Sequence, residues 1–168
     1  MCAAMTEIIQ NNLDILEVTQ QVIDDLKRRA LASPCKRSRL CMHRSPAELT
    51  HEMLIVFHKD TYMPPHRHPA GKSESYHIVD GSMTVYLFDD AGSVFHSIEM
   101  QRAGKGKPFL YRLSASIWHM PVATSEWLVY HETYSGPFEK NRDVEFPSWA
   151  PKEQDKEKVK KFLGSLPK

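Results

Sequence analysis

Two histidines stand one residue apart in PPHRHPAGKSESYHIVDG, residues 64–81. Glu74 follows His68 by six residues, and Gly81 ends the run. Alternate side chains of an extended segment share a face, so His66 and His68 point the same way. Glu74 opens the next strand-like run, and a turn at Gly81 lets that strand fold back within the sheet, opposite them. Two imidazoles and a carboxylate on an inner face are a ligand set for one divalent transition metal. A fourth ligand has to come from elsewhere, and His119 in SASIWHMP, at the end of a later strand-like run, is the candidate. Free positions on such a metal take water or substrate. The competing reading of a lone His-x-His is a pair of surface histidines, since the chain has 9 histidines. Glu74 and Gly81 at their spacing, in a strand-rich context, favour the metal. His58, His77, His96 and His131 read as ordinary, and His77 falls on the face opposite Glu74.

Other residues are candidates by position. Tyr76 and Ile78 share a face with Glu74, so Tyr76 can line the same cavity as a catalytic group. Leu128, Tyr130 and Glu132 share one face of WLVYHETY. If that face is inward, Glu132 is a buried acid, which must be paired or functional; otherwise it faces solvent or pairs with a structural arginine. Arg39 and His43 either close one mouth of the barrel and hold an anionic or hydroxylated ligand, or form surface ion pairs.

The elements that must position these residues are mostly strands. MLIVFH, SYHIV, MTVYLF, VFHSIEM, PFLYRL and WLVYHETY are short runs rich in β-branched and aromatic residues, separated by Lys59-Asp60, Asp80-Gly81, DDAG and GKGKP. DDAG, residues 89–92, is the clearest hairpin signal. Strands at this spacing predict a sandwich or barrel over about 53–134 rather than alternating βα units. Ahead of them the first dozen residues read as weakly structured and Asp14–Val18 as a short strand. A helix starts at Thr19, with Val22, Ile23, Leu26 and Ala30 on one face, and stops at Ser33-Pro34. The basic stretch CKRSRLCMH, Cys35–His43, reads as a solvated loop. After Gly136-Pro137 comes a coil anchored by Phe146 and Trp149. A charged helix over about 152–166 then docks Val159, Phe162, Leu163 and Leu166. With no repeat, residues 1–168 read as one domain.

The chain has 168 residues, 41% of them hydrophobic, which suffices for one real core. With 22 basic and 21 acidic residues, the charge balance supports neither a nucleic-acid nor a membrane partner. Cys2, Cys35 and Cys41 fit neither a disulfide framework nor a metal spacing and suggest a reducing compartment. The amino terminus lacks signal-peptide features, and the apolar runs are too short for a membrane span. A cytoplasmic location is expected.

HRHPAGKSESYHIVDG resembles the first cupin motif, in which His-x-His is followed by Glu and, after six intervening residues, by Gly. Asp60 stands where a glycine often begins that motif. In the second cupin motif Ser114, Ser116 and Ala123 replace the usual Pro, Gly and Asn, and His119 remains. SPCKRSRLCMH, YMPPHRHP, LFDDAGSV, WHMPVA, SGPF and EFPSWAPKE together resemble the WbuC-type cupin metalloproteins, over roughly residues 14–153. That resemblance implies an all-β, antiparallel cupin-type β-barrel, or jelly roll, with flanking N- and C-terminal helices. It also implies a bacterial source, often among O-antigen genes, and one bound divalent metal (Zn, Fe, Mn or Ni) on His66, His68, Glu74 and His119. Cupins commonly pair through outer barrel faces and exchanged N-terminal segments, so a homodimer is expected.

Three functions follow as expectations. One is a metal cupin acting on a small polar, sugar-like or sugar-nucleotide molecule as an isomerase or epimerase, or as an oxygenase if the metal is iron. Another is a non-catalytic cupin that binds or senses a small ligand. The third, a purely structural metal, is disfavoured because three histidines and a glutamate leave coordination positions open.

Overall fold

Thr19 stands at the N-cap position of a helix, α1 (Gln20–Ala32), whose Leu26 and Ala30 are buried and whose Val22 and Ile23 pack beside them. The chain is seen here in a computed structural model that describes residues 7–167. Cys2 lies outside the described residues. The strands are β1 (Glu7–Gln10), β2 (Arg37–Cys41), β3 (Thr50–His58), β4 (Glu74–Asp80), β5 (Ser82–Phe88), β6 (Val94–Gln101), β7 (Leu110–Leu113), β8 (Trp118–Ala123) and β9 (Trp127–Ser135). Two further helices follow, α2 (Lys140–Asp143) and α3 (Lys156–Gly164). No described helix is long and apolar enough to cross a membrane.

The strands form two sheets, one in the order β1-β2-β3-β9-β4-β7 and one in the order β6-β5-β8. Every ladder is antiparallel except that of β1 on β2. Met53, Ile55 and Phe57 of β3 point between the sheets, with Val85 and Leu87 of β5 and Leu128 and Tyr130 of β9. Leu54 and Val56 point the other way, onto α1. β3 is thus covered on both faces, which is why MLIVF is a continuous apolar run rather than an alternation. The outer face of the smaller sheet, with Tyr86, Phe88, Trp118 and Met120, is covered by Trp149 and by Val159, Phe162, Leu163 and Leu166 at and just beyond α3. Asp155 caps α3 by accepting from the Lys158 amide. The all-β jelly roll with flanking helices is therefore as expected, although the sheets do not close into a continuous barrel.

Four expectations are corrected. Asp14–Val18 is not a strand: β2 has β3 on one side and β1 on the other, so neither side of β2 is open to it, and Ile15 stays 82% exposed. The strand instead lies at Glu7–Gln10, inside the dozen residues expected to be weakly structured. Cys35–His43 is not a solvated loop, because Arg37–Cys41 is β2 and Arg37, Ser38, Leu40 and Cys41 are buried. The Arg37 guanidinium goes inside because it donates to the Tyr62 carbonyl at 2.8 Å and to Glu153 Oε1 at 2.5 Å. Finally, Gly81 does not fold the Glu74 strand back within its own sheet. β4 and β5 belong to different sheets, and Gly81 is the corner between them. Its φ is +81°, and a Cβ there would lie 2.1 Å from the Trp127 carbonyl oxygen, so glycine is required.

Candidate metal centre

The segment after Tyr62 runs extended into the gap between the sheets, where its backbone finds β8. The His66 amide donates to the His119 carbonyl at 3.0 Å, and the His119 amide donates to the His66 carbonyl at 2.8 Å. This reciprocal pair joins the two sequence motifs directly. Alternation then separates the next residues. His66 and His68 turn inward, while Arg67 turns outward onto the Trp118 ring at 4.2 Å and the Glu145 carboxylate. Glu74 begins β4, paired with Leu113 on one side and Tyr134 on the other. It is 2% exposed, and His119 is fully buried. One ligating atom from each of His66, His68, Glu74 and His119 falls within 4.8 Å of the others.

The hydrogen bonds orient each ring. His66 Nδ1 meets the Pro64 carbonyl at 3.0 Å, His68 Nδ1 the Asp143 carbonyl at 2.6 Å, and His119 Nδ1 the Ile117 carbonyl at 2.9 Å. A carbonyl only accepts, so each Nδ1 carries a proton and each ring turns its Nε2 inward. The Nε2 atoms of His68 and His119 are buried without a hydrogen-bond partner. They lie 3.3 and 3.0 Å from the two oxygens of Glu74. Lone pairs facing a carboxylate at that range repel one another unless a cation sits among them. The donor set and its missing positive charge therefore fit a divalent metal.

Glu74 is held from behind. The Tyr76 hydroxyl donates to Oε2 at 3.0 Å and the Tyr111 hydroxyl to Oε1 at 3.0 Å. Burial opposes the Glu74 charge, yet His119 and His68 hold its carboxyl well below the usual range. Burial and the nearby His119 push His66 down to about 3, keeping it neutral. Burial also opposes charge on His68, but its contacts with Glu74 and the Asp143 carbonyl raise it overall.

The other sequence candidates separate. Tyr76 lies in the cluster, fully buried and engaged with Glu74. Glu132 faces inward on β9 between Tyr130 and Tyr134, with its carboxyl pushed up to about 7 by burial and by the charge of Glu74. Arg39 and His43 are not brought together. The His43 ring stacks on His51 at 4.0 Å, past the end of β2, with Nδ1 at the Glu52 carbonyl. Arg39 lies within β2, level with Ile55. His77 faces away from Glu74 and is exposed.

Sequence reasoning missed Tyr111, Tyr134 and Asp143. Tyr134 carried a signal, since it continues the face of Leu128, Tyr130 and Glu132. Its ring lies 4.6 Å from that of His68. Nothing local marks Tyr111, whose role depends on β7 pairing with β4, or Asp143, which contributes a backbone carbonyl.

A family model for a domain of unknown function (DUF6016) matches residues 18–100. No curated protein matches. Similar solved structures include a protein of Shewanella oneidensis, with a TM-score of 0.53 and 14% identity, covering 64% of this chain and 72% of that one. L-ribose isomerase of Cellulomonas parahominis gives a TM-score of 0.52 and 17% identity, covering 66% and 69%. An oxalate oxidase in complex with the substrate analogue glycolate gives 0.51 and 14%, covering 68% of this chain and 57% of that one. At these identities the likeness is one of fold.

Proposed function

The chain has the cupin fold, and from that premise we propose that it binds one divalent metal through His66, His68, Glu74 and His119. We further propose that it acts there on a small polar, sugar-like molecule. The observation that carries this reading is the convergence of the three oriented imidazoles and Glu74 on one buried point. Imidazole and carboxylate together suit Zn, Fe, Mn or Ni. When bound, such a metal polarises a carbonyl or hydroxyl oxygen of a ligand.

The chain's own groups supply the rest. Tyr76 and Tyr111 donate hydrogen bonds to Glu74, so in this reading Tyr76 acts by positioning that carboxylate. Glu132, which faces the same inner side in the row next to Glu74, can hold or take up a proton there. Movement of a proton next to a polarised oxygen is the chemistry of isomerisation or epimerisation. The fold likeness to an L-ribose isomerase and the resemblance to WbuC-type proteins, with their O-antigen setting, support a sugar-like substrate. An acid–base side chain beside the metal ligands favours catalysis over mere binding or sensing. A bacterial, cytoplasmic homodimer belongs to the same reading, and light scattering that gives a monomer mass at micromolar concentration rejects the dimer.

The test of the function is elemental analysis of protein purified without chelators. One equivalent of metal is expected, and His66→Ala or His68→Ala should lose it while strand content by circular dichroism is kept. Retention of a full equivalent by His66→Ala after dialysis refutes the metal site.

A further inference from the structure

Two buried donors on the inner side of the larger sheet have no hydrogen-bond partner: the Tyr134 hydroxyl and Arg39 Nε. Register places them on either side of Glu132. Glu74 and Tyr134 stand opposite one another in one row. The next row inward runs across five strands as Cys41, Met53, Glu132, Tyr76 and Tyr111. The row beyond it holds Arg39, Ile55, Tyr130 and Ile78. Successive rows are about 6.6 Å apart, two residues of strand. Leading away from the metal centre, the wall therefore presents a hydroxyl donor, a carboxyl group and a guanidinium.

Alternation along β2 shows that Arg39 faces inward. Cys41, two residues on, belongs to the core between the sheets, whereas Leu40 packs with α1 and Ser38 Oγ donates to the Leu26 carbonyl. Among the described residues, no carboxylate forms an ion pair with Arg39, in contrast to its neighbour Arg37, which has Glu153. On its own strand Arg39 meets the Cys41 thiol, a weak acceptor. Arg39 is half-buried and its charge acts on the Glu132 carboxyl, but its buried Nε has no acceptor, which is unfavourable and is met by an entering anion.

Resting on the metal-dependent reading above, we propose that the ligand is a small polyhydroxylated carboxylate of sugar-acid size. Its carboxylate lies on Arg39, its hydroxyl end points toward the metal centre, and Tyr134 donates a hydrogen bond to that end. The guanidinium fork matches a carboxylate in two parallel hydrogen bonds. A neutral sugar leaves the Arg39 fork without a bidentate acceptor. A two-carbon acid is too short, because the Tyr134 and Arg39 rows are about 13 Å apart along the strands before the side chains close the distance. Glu132 then stands beside the middle of the ligand, within reach of its hydroxyls.

The test is calorimetric titration of metal-loaded protein with D-gluconate, with sorbitol and acetate as the uncharged and the short controls. Gluconate should bind at least 10-fold more tightly than either. Arg39→Gln should weaken gluconate binding about 10- to 100-fold, the range for losing a charge-assisted pair, while keeping one equivalent of metal. If Arg39→Gln does not fold, the double variant Arg39→Gln/Glu132→Gln replaces it, with the same loss expected. Absence of gluconate binding, equal binding of sorbitol, or a dissociation constant within twofold of wild type in the Arg39 variant overturns the proposal. So does full gluconate binding by the double variant, which would leave Arg39 only the task of offsetting Glu132. The two readings fail separately. Metal at one equivalent without gluconate binding sinks this inference alone, whereas Arg39-dependent gluconate binding by protein that holds no metal sinks the metal centre alone.

Discussion

Removing the two phenols behind Glu74 tests whether that carboxylate is built to hold a metal. Tyr111→Phe deletes a hydroxyl 3.0 Å from Oε1, and Tyr76→Phe one 3.0 Å from Oε2. Both rings are buried and stay so as phenylalanines, so packing is kept. A hydrogen bond to a charged group contributes about 1.5–3 kcal/mol. Part of that is lost with or without metal, because the phenols also support the ionised carboxylate in the metal-free protein. The loss specific to metal binding is therefore smaller, about 1.4 kcal/mol or tenfold in affinity for each variant, at the low end of the range for residues that orient a ligand. The double variant should lose more than about 10-fold but less than the roughly 100-fold simple product, since both bonds end on one carboxylate. Competition against a chromophoric chelator at fixed pH measures this, with circular dichroism as the control for folding. Glu74→Gln sets the lower limit of affinity. If the double variant binds metal within twofold of wild type, Glu74 is not a ligand held by these tyrosines, and the geometric argument for the site fails.

Glu132→Gln should change how stability depends on pH in the metal-stripped protein. The folded pKa is raised from 4.5 to about 7, so the native state binds the proton more tightly than the unfolded chain. Stability from this group falls as pH rises from about 4.5 to 7, a loss of about 3 kcal/mol in all. Urea unfolding at pH 5.5 and 8 should show the wild type losing stability relative to the Gln variant at the higher pH; parallel profiles refute the burial of an acid there. Gly81→Ala should destabilise the fold by about 3 kcal/mol or more, combining positive φ with overpacking against the Trp127 carbonyl, and an unchanged melting temperature contradicts it. Glu153→Ala should cost about 3 kcal/mol by leaving the buried Arg37 guanidinium short of its carboxylate, and chemical denaturation that finds under 1 kcal/mol argues that Arg37 reaches water instead.

The parts legible in the sequence are those encoded between near neighbours. Period-two alternation put His66 and His68 on one face and His77 opposite Glu74. The spacing of Val22, Ile23, Leu26 and Ala30 gave the face of α1, and that of Val159, Phe162, Leu163 and Leu166 the docked face near α3. DDAG formed its turn because Asp89 Oδ1 accepts from the amides of Ala91 and Ser93, a bond made within four residues. What the tertiary structure decided depends on partners far away in the chain. Arg37–Cys41 looks like a solvated basic loop until Arg37 finds Glu153, 116 residues on. Asp14–Val18 has strand-like residues, yet β1 already occupies the edge it would need. Tyr111 serves Glu74 only because β7 pairs with β4, and His119 completes the cluster only because its backbone pairs with that of His66. Alternation determines which way a side chain points from its own strand. Which strands lie side by side is set by the burial of whole faces against one another, and that balance is taken over the entire chain.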